Sequence, residues 1–316
     1  MAVSPDGAFV YTADGQNQVV RRWEAATGKE LGVTGRHGDE VWCLALSPDG
    51  RRLLTGSASY KKPPLGCSAR LWDAATGAPI GAPMTHAGAV FGIAFSPDGK
   101  TVLTGSTDRT TRLWDAATGE PLGPPQPHAA EVRAVAFHPD GKTVLTGGGD
   151  RNAQRWDLAT WRRLGPPLAH DGEVHSVGFT RDARLIVTAS NDGTARLWHP
   201  ETGKQVGPSL THGGAVNQAV CAPDGATLAT CSDDATVHLW ALPGCVLDEP
   251  AEVARRAALL TGLSLDDKGT VRILDPSAWR TARAERGRER LTTDHGPAPP
   301  DAPPRSATLP APEGRR

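Results

Sequence analysis

The sequence predicts an all-β fold made of six repeated four-stranded units, and three observations predict it. Tryptophans recur at Trp23, Trp72, Trp114, Trp156, Trp198 and Trp240, with a first step of 49 residues and four further steps of 42. Histidines keep the same rhythm at His37, His86, His128, His170 and His212. Gly (36) and Pro (27) make up about a fifth of the 316 residues, and helix interiors tolerate neither.

Each unit opens on a strand that runs into a tight turn. Val90–Phe95 leads into Ser96-Pro97-Asp98-Gly99, and the same turn stands at Ser4–Gly7, Ser47–Gly50, His138–Gly141 and Ala222–Gly225. The fixed φ of proline suits the second position of a type I turn, and glycine closes it. Arg181–Arg184 replaces the motif in one unit and predicts a looser turn there. A β-branched run such as Thr101–Thr104 makes the second strand, and the third ends on Arg112-Leu113-Trp114. Asp115–Gly119 then turns the chain into a proline-containing fourth strand. An outer edge accepts proline because its hydrogen-bonding positions are free. Four strands in about 40–45 residues is the size of one propeller blade. From histidine to tryptophan the units take 28 residues, except that starting at His37, which takes 35, so a seven-residue insertion falls in Ser59–Gly66.

The pattern also excludes several functions. The net charge is −1 and shows no concentrated basic face, so nucleic acid is not an expected partner. No run of 18 apolar residues suggests a membrane span, and MAVSPDGAFV lacks the basic start and apolar core of a signal peptide. The five cysteines are odd in number, contain no CxxC and match no zinc spacing. They read as idle thiols of a reducing, cytoplasmic compartment. No metal or other cofactor is expected. Gly99-Lys100-Thr101 and Gly141-Lys142-Thr143 are turn ends rather than phosphate loops, because Ala94 and Ala136 stand where the loop needs glycine.

With Trp72-Asp73, Trp114-Asp115 and Trp156-Asp157 in register, residues 1–245 resemble a WD40-repeat protein. The dipeptide departs to Trp-Glu at Trp23, Trp-His at Trp198 and Trp-Ala at Trp240, and the usual Gly before the histidine is Arg36, Thr85, Pro127, Ala169 or Thr211. The resemblance implies a β-propeller with six recognisable blades, where seven is the common number. It also implies a hydrogen-bonded tetrad in each blade: His86, Thr104, Asp108 and Trp114; His128, Thr146, Asp150 and Trp156; His170, Thr188, Asp192 and Trp198; His212, Thr230, Asp234 and Trp240. Gly66 and Asn17 occupy the aspartate position in the second and first units, which predicts two less rigid blades. Buried polar groups need all partners satisfied, which accounts for the fixed spacing. A His–Asp–Thr set that recurs four times with its bonds already made is structural, not a catalytic triad.

The ends break the pattern. Met1 falls inside the first strand of the first unit, so the sequence predicts either a fragment of a longer product or a first blade completed from elsewhere, and an incompletely closed ring. The propeller is expected over 1–248. A helix–hairpin–helix extension is expected over 249–291, with its hairpin at Leu263–Leu265 and Thr270–Leu274 and an Arg-rich second helix. A disordered Pro-rich tail is expected over 292–316. Leu260–Arg280 resembles the end segment of bacterial proteins that join a Ser/Thr kinase to WD40 repeats, although no kinase motif is present.

The expected function is a non-catalytic scaffold that binds proteins or peptides; a regulatory half of a Ser/Thr kinase system and a propeller enzyme are the alternatives. An enzyme needs convergent titratable groups outside the repeat, whereas His138, His175, His199, His238 and His295 scatter over different segments. Binding is expected on the face that carries the histidine loops. The variable position after each first-strand valine is Trp42, Phe91, Arg133, His175 or Asn217, and two residues earlier stand Glu40, Glu131 and Glu173 in three units. The insertion adds Tyr60, Lys61 and Lys62, which suit an acidic partner.

Overall fold

The computed structural model describes residues 1–14, 18–58, 67–222, 225–242, 263–265 and 271–273. It is an all-β, six-blade β-propeller. Blades one to five are four-stranded antiparallel sheets with strands in sequence order, and the sixth has three described strands, Val216–Cys221, Thr227–Ser232 and Val237–Ala241. The four-residue turns predicted from the sequence join first to second strands. In three of them the serine hydroxyl donates to the aspartate two residues on, as from Ser96 to Asp98 at 2.6 Å, and the glycine takes a left-handed φ of about +70°. Only glycine adopts that conformation freely.

The turn expected to be looser is built the same way. Thr180 takes the place of serine and donates to Asp182 at 2.7 Å, while Ala183 occupies the glycine position at φ 58°. Hydroxyl chemistry, rather than proline, holds the turn, and the alanine carries the strain. Ala183→Gly is therefore expected to stabilise the protein by about 1 kcal/mol, seen as a melting point about 2–4 °C higher.

Alternation along each strand sends one set of side chains toward the preceding blade and the other toward the following one. Apolar clusters seal the junctions so formed. Leu54 and Leu71 of blade two pack with Val90 and Val102 of blade three. Leu103 of blade three packs with Val132 and Val144 of blade four, and Leu145 of blade four with Val174 and Ile186 of blade five. Close approach is needed here. A Cβ on Gly105 would sit 2.6 Å from Val132 Cγ1, and one on Gly147 would sit 2.7 Å from Val174 Cγ1.

Leu263–Leu265 and Val271–Ile273 pair as an antiparallel ribbon. The two predicted C-terminal helices, the Pro-rich tail and the Ser59–Gly66 insertion with Tyr60, Lys61 and Lys62 lie outside the described residues, as do Asn17 and Gly66.

Candidate functional site

Antiparallel order puts each histidine loop and each turn between second and third strands at the same end of the blades. In blade three, Trp114 Nε1 donates to Thr104 Oγ1 (2.9 Å), Thr104 lies 2.8 Å from His86 Nε2, and His86 Nδ1 lies 2.9 Å from Asp108. One tautomer satisfies all four groups: Nδ1–H donates to the carboxylate and Nε2 accepts from the threonine hydroxyl. Blade five repeats this with Trp198, Thr188, His170 and Asp192, at 2.8, 2.7 and 2.9 Å. Blade six repeats it with Trp240, Thr230, His212 and Asp234, at 2.8, 2.7 and 3.3 Å.

Blade four departs from the expected tetrad. Thr146 accepts from Trp156 Nε1 at 2.8 Å, but His128 Nε2 faces Thr111 of blade three at 3.1 Å, and Asp150 is exposed. Among the described residues His128 bonds neither Thr146 nor Asp150. The cause is a set of groups that the repeat analysis missed. Elsewhere the aspartate is clamped by the threonine two residues on (Thr110, Thr194 and Thr236, each at 2.6 Å), and its own N–H by the preceding Ser106, Ser190 or Ser232. Arg112 and Arg196 add ion pairs to Asp108 and Asp192 at 3.8 and 3.1 Å. Blade four has Gly148, Asn152 and Gln154 at those three positions, so among the described residues the Asp150 carboxylate keeps only the Asn152 backbone amide (3.2 Å) and has neither the hydroxyl clamp nor an arginine to turn it toward His128. The signal was present as Ser-x-Asp-x-Thr, broken to Gly-x-Asp-x-Asn in this unit alone among the four.

In blades one and two the described residues carry the tryptophan end of the same chain. Trp23 donates to Thr12 at 2.8 Å, and in blade two Trp72 donates to Thr55 at 2.8 Å while His37 meets the same hydroxyl. Burial lowers the His37 pKa to about 4, helped by the nearby Arg70 cation, and burial lowers that of His128 to about 4 as well. His86 and His170 are also lowered by burial, but their aspartates push the other way. For Asp192 burial opposes ionisation, yet bonds from Thr194, the Asp171 amide and His170 outweigh it and hold the carboxyl at about 2.

At this end the first strands of blades two to six line a channel cavity of about 570 Å³, and Trp42, Phe91, Arg133, His175 and Asn217 all border it. Trp42, half exposed at 50%, meets Phe91 edge-on with centroids 5.8 Å apart. The Arg133 guanidinium lies 5.7 Å from the Phe91 centroid and pairs with Glu131 at 3.1 Å. It also lies 2.9 Å from Glu173, close in distance but not aligned as a hydrogen bond. Glu173 in turn lies 3.6 Å from His175, and Asn217 donates to Asp233 at 2.5 Å. Glu40 is exposed at the start of its strand. Each of these contacts from Trp42 to Glu173 crosses between neighbouring blades or links strand to loop, so the rim is one connected surface. Single-blade patterns carry no signal for that connection.

A second cavity, of about 660 Å³, opens at the opposite end and gathers His138, Asp140, Asp182, His199 and Glu201. Its groups are used by the turns: Asp140 accepts from the Lys142 and Thr143 amides, Asp182 from Thr180, and His199 from the Glu201 amide. Burial pushes the Cys43 and Cys221 thiols up to about 12 and about 11, so both stay protonated at neutral pH. Among the described residues no three His, Cys, Asp or Glu side chains are grouped to hold a metal ion, and no helix is long and apolar enough to cross a membrane.

Comparison with known proteins agrees with this geometry. The family model described as WD domain, G-beta repeat matches residues 28–73, 77–115, 119–157, 163–199 and 204–241. Each match takes in the fourth strand of one blade and the first three of the next, so blade one lacks a match of its own. An uncharacterized WD repeat-containing protein of Schizosaccharomyces pombe is 41% identical over 39 residues, 12% of this chain and 10% of that protein. This chain thus spans about a tenth of the length of the curated relative that it matches. The crystal structure of the computationally designed Ika8 protein superposes with a TM-score of 0.60 at 22% identity, covering 74% of this chain and 68% of that one, a likeness of fold alone. With five repeats over more than half of its length, the chain belongs to the WD40 family of β-propeller repeat proteins.

Proposed function

We propose that this propeller is a non-catalytic platform that binds other proteins or peptides at the channel mouth. WD40 propellers are typically interaction scaffolds, and what carries the reading here is the rim from Trp42 through Phe91 and Arg133 to Glu173. An exposed tryptophan backed by a phenylalanine suits an anchor, because aromatic residues dominate interface energetics. The carboxylates beside it suit orientation of a polar partner group. Tyr60, Lys61 and Lys62 would extend the same face toward an acidic segment of the partner. Nucleic acid and membrane are not proposed as partners, given the balanced charge. The resemblance of Leu260–Arg280 to kinase-linked WD40 proteins supports a scaffold that serves a Ser/Thr kinase system, and the unpaired thiols suit a cytoplasmic setting.

Once a partner has been isolated with the wild-type chain, the Trp42→Ala, Phe91→Ala double variant is expected to bind it at least about 2 kcal/mol more weakly, with an unchanged melting point. Unchanged affinity in calorimetric titration would remove the channel mouth as the binding site.

A further inference from the structure

Six blades arranged in a ring make six junctions, yet the described residues contain five apolar clusters, one for each junction from one–two to five–six. None joins blade six to blade one. Several described side chains on the side of blade six that would face a following blade are also less covered than their counterparts. In blades two to five the residue before the tetrad threonine is Leu54, Leu103, Leu145 or Val187, all buried, whereas its counterpart in blade six is the half-buried Ala229. Val237 is half-buried where Ala69, Ala153 and Ala195 are buried, and Val220 is 52% exposed.

A second observation is independent of exposure. The residue after the tetrad threonine is Gly or Ala wherever a blade follows: Ala13, Gly56, Gly105, Gly147 and Ala189. There the next blade comes so near that a Cβ on Gly56, Gly105 or Gly147 would lie under 3 Å from it. In blade six this residue is Cys231. The larger side chain suits a neighbour that sits less closely than a full blade.

The chain supplies such a neighbour. In the C-terminal ribbon Leu263 is opposite Ile273, Leu265 opposite Val271 and Ser264 opposite Arg272. Paired positions alternate between the two faces of a ribbon, so the register groups Leu263, Leu265, Val271 and Ile273 as one set of positions and Ser264 and Arg272 as the other. A two-stranded ribbon is marginal by itself and needs an apolar partner. About twenty residues separate it from the end of blade six, enough to reach any part of that sheet. The short tether also gives the ribbon an effective concentration in the millimolar range, well above that of a second molecule.

We propose that the Leu263–Ile273 hairpin seats its apolar side on the open face of blade six, around Val220, Val237 and Leu239, and caps the array as a half-blade. One apolar side suffices for this role, whereas a full intervening blade needs two.

Hydrogen exchange on the full chain tests the proposal. Leu263→Asp with Ile273→Asp is expected to speed exchange across Val216–Ala241 at least tenfold while leaving Thr101–Asp115 in blade three unchanged; Ser264→Asp, on the polar side, is expected to change neither. Val220→Asp is expected to give the same acceleration, and combining it with the hairpin changes to add little. If the double aspartate variant loses structure in blade three as well, Leu263→Ala is read in the same way. Unchanged blade-six exchange in the hairpin variants, or fully additive effects with Val220→Asp, would overturn the assignment. So would a wild-type dimer in sedimentation whose dilution alone exposes blade six, since a second copy would then be the occupant.

Discussion

Lowering the pH from 7 to 5 is expected to destabilise the propeller by several kcal/mol, well before its carboxylates titrate. The cause is the buried histidines. His37 and His128 have folded pKa values of about 4, against about 6.5 in the unfolded chain. Below 6.5 the unfolded state binds protons that the folded state refuses. The stability from each histidine is therefore complete above pH 6.5 and is lost as the pH falls toward 4. At pH 5 the loss is about 2 kcal/mol for each of the two. His86, His170 and His212 are shifted in the same direction and add to it. The aspartates act in a separate, lower window. The contribution of Asp192 is complete above about 4 and lost as the pH falls through about 2. Urea unfolding at pH 7 and pH 5 measures the effect, and His128→Gln is expected to flatten the pH dependence by the share of one histidine. Equal stability at the two values would show that these histidines titrate as they do in the unfolded chain.

Thr188→Val is expected to cost about 2–5 kcal/mol, clearly more than Thr146→Val, although both threonines occupy the same place in the repeat. Valine keeps the shape and removes the hydroxyl. At 188 that hydroxyl accepts from Trp198 and donates to His170, and both rings are buried, so two polar groups lose their partner. Each such orphan costs about 1–3 kcal/mol. At 146, among the described residues, the hydroxyl serves Trp156 alone, and that ring is only half-buried. A cost of about 1–2 kcal/mol is expected there. Thr188→Ser, which keeps the hydroxyl, is expected to recover most of the loss. Denaturant midpoints of the three variants decide the matter, and equal costs at 188 and 146 would mean that the His170–Thr188 bond adds nothing to stability.

The repeat itself was legible in the sequence for a local reason. A blade is a run of hairpins, and hairpins are specified by residues close in the chain: Ser-Pro-Asp-Gly at one turn, Asp-Ala-Ala-Thr-Gly at the next, and strands alternating between them. The identities of His86, Thr104, Asp108 and Trp114 were legible too, because a shared hydrogen-bond chain forces constant spacing. The failure of that chain in blade four was not read, although Gly148 and Asn152 announced it. A pattern search scores the four named positions and gives no weight to the serine and threonine that fix the aspartate. The strained Ala183 turn is hard to read from the sequence for a similar reason: it lacks the proline and glycine of the other turns, and the Thr180 hydroxyl holds the bend.

The sequence by itself determined the six repeats, most of their turns and three of the four polar tetrads, since each depends on groups within about 30 residues of one another. Only the tertiary structure decided that Trp42, Phe91, Arg133 and Glu173 form one continuous rim, and that among the described residues no apolar cluster joins blade six to blade one. Both are properties of adjacency between sheets. Adjacency depends on how closely one blade can approach the next, as at Gly105 against Val132, and the spacing of residues along the chain carries no measure of that distance.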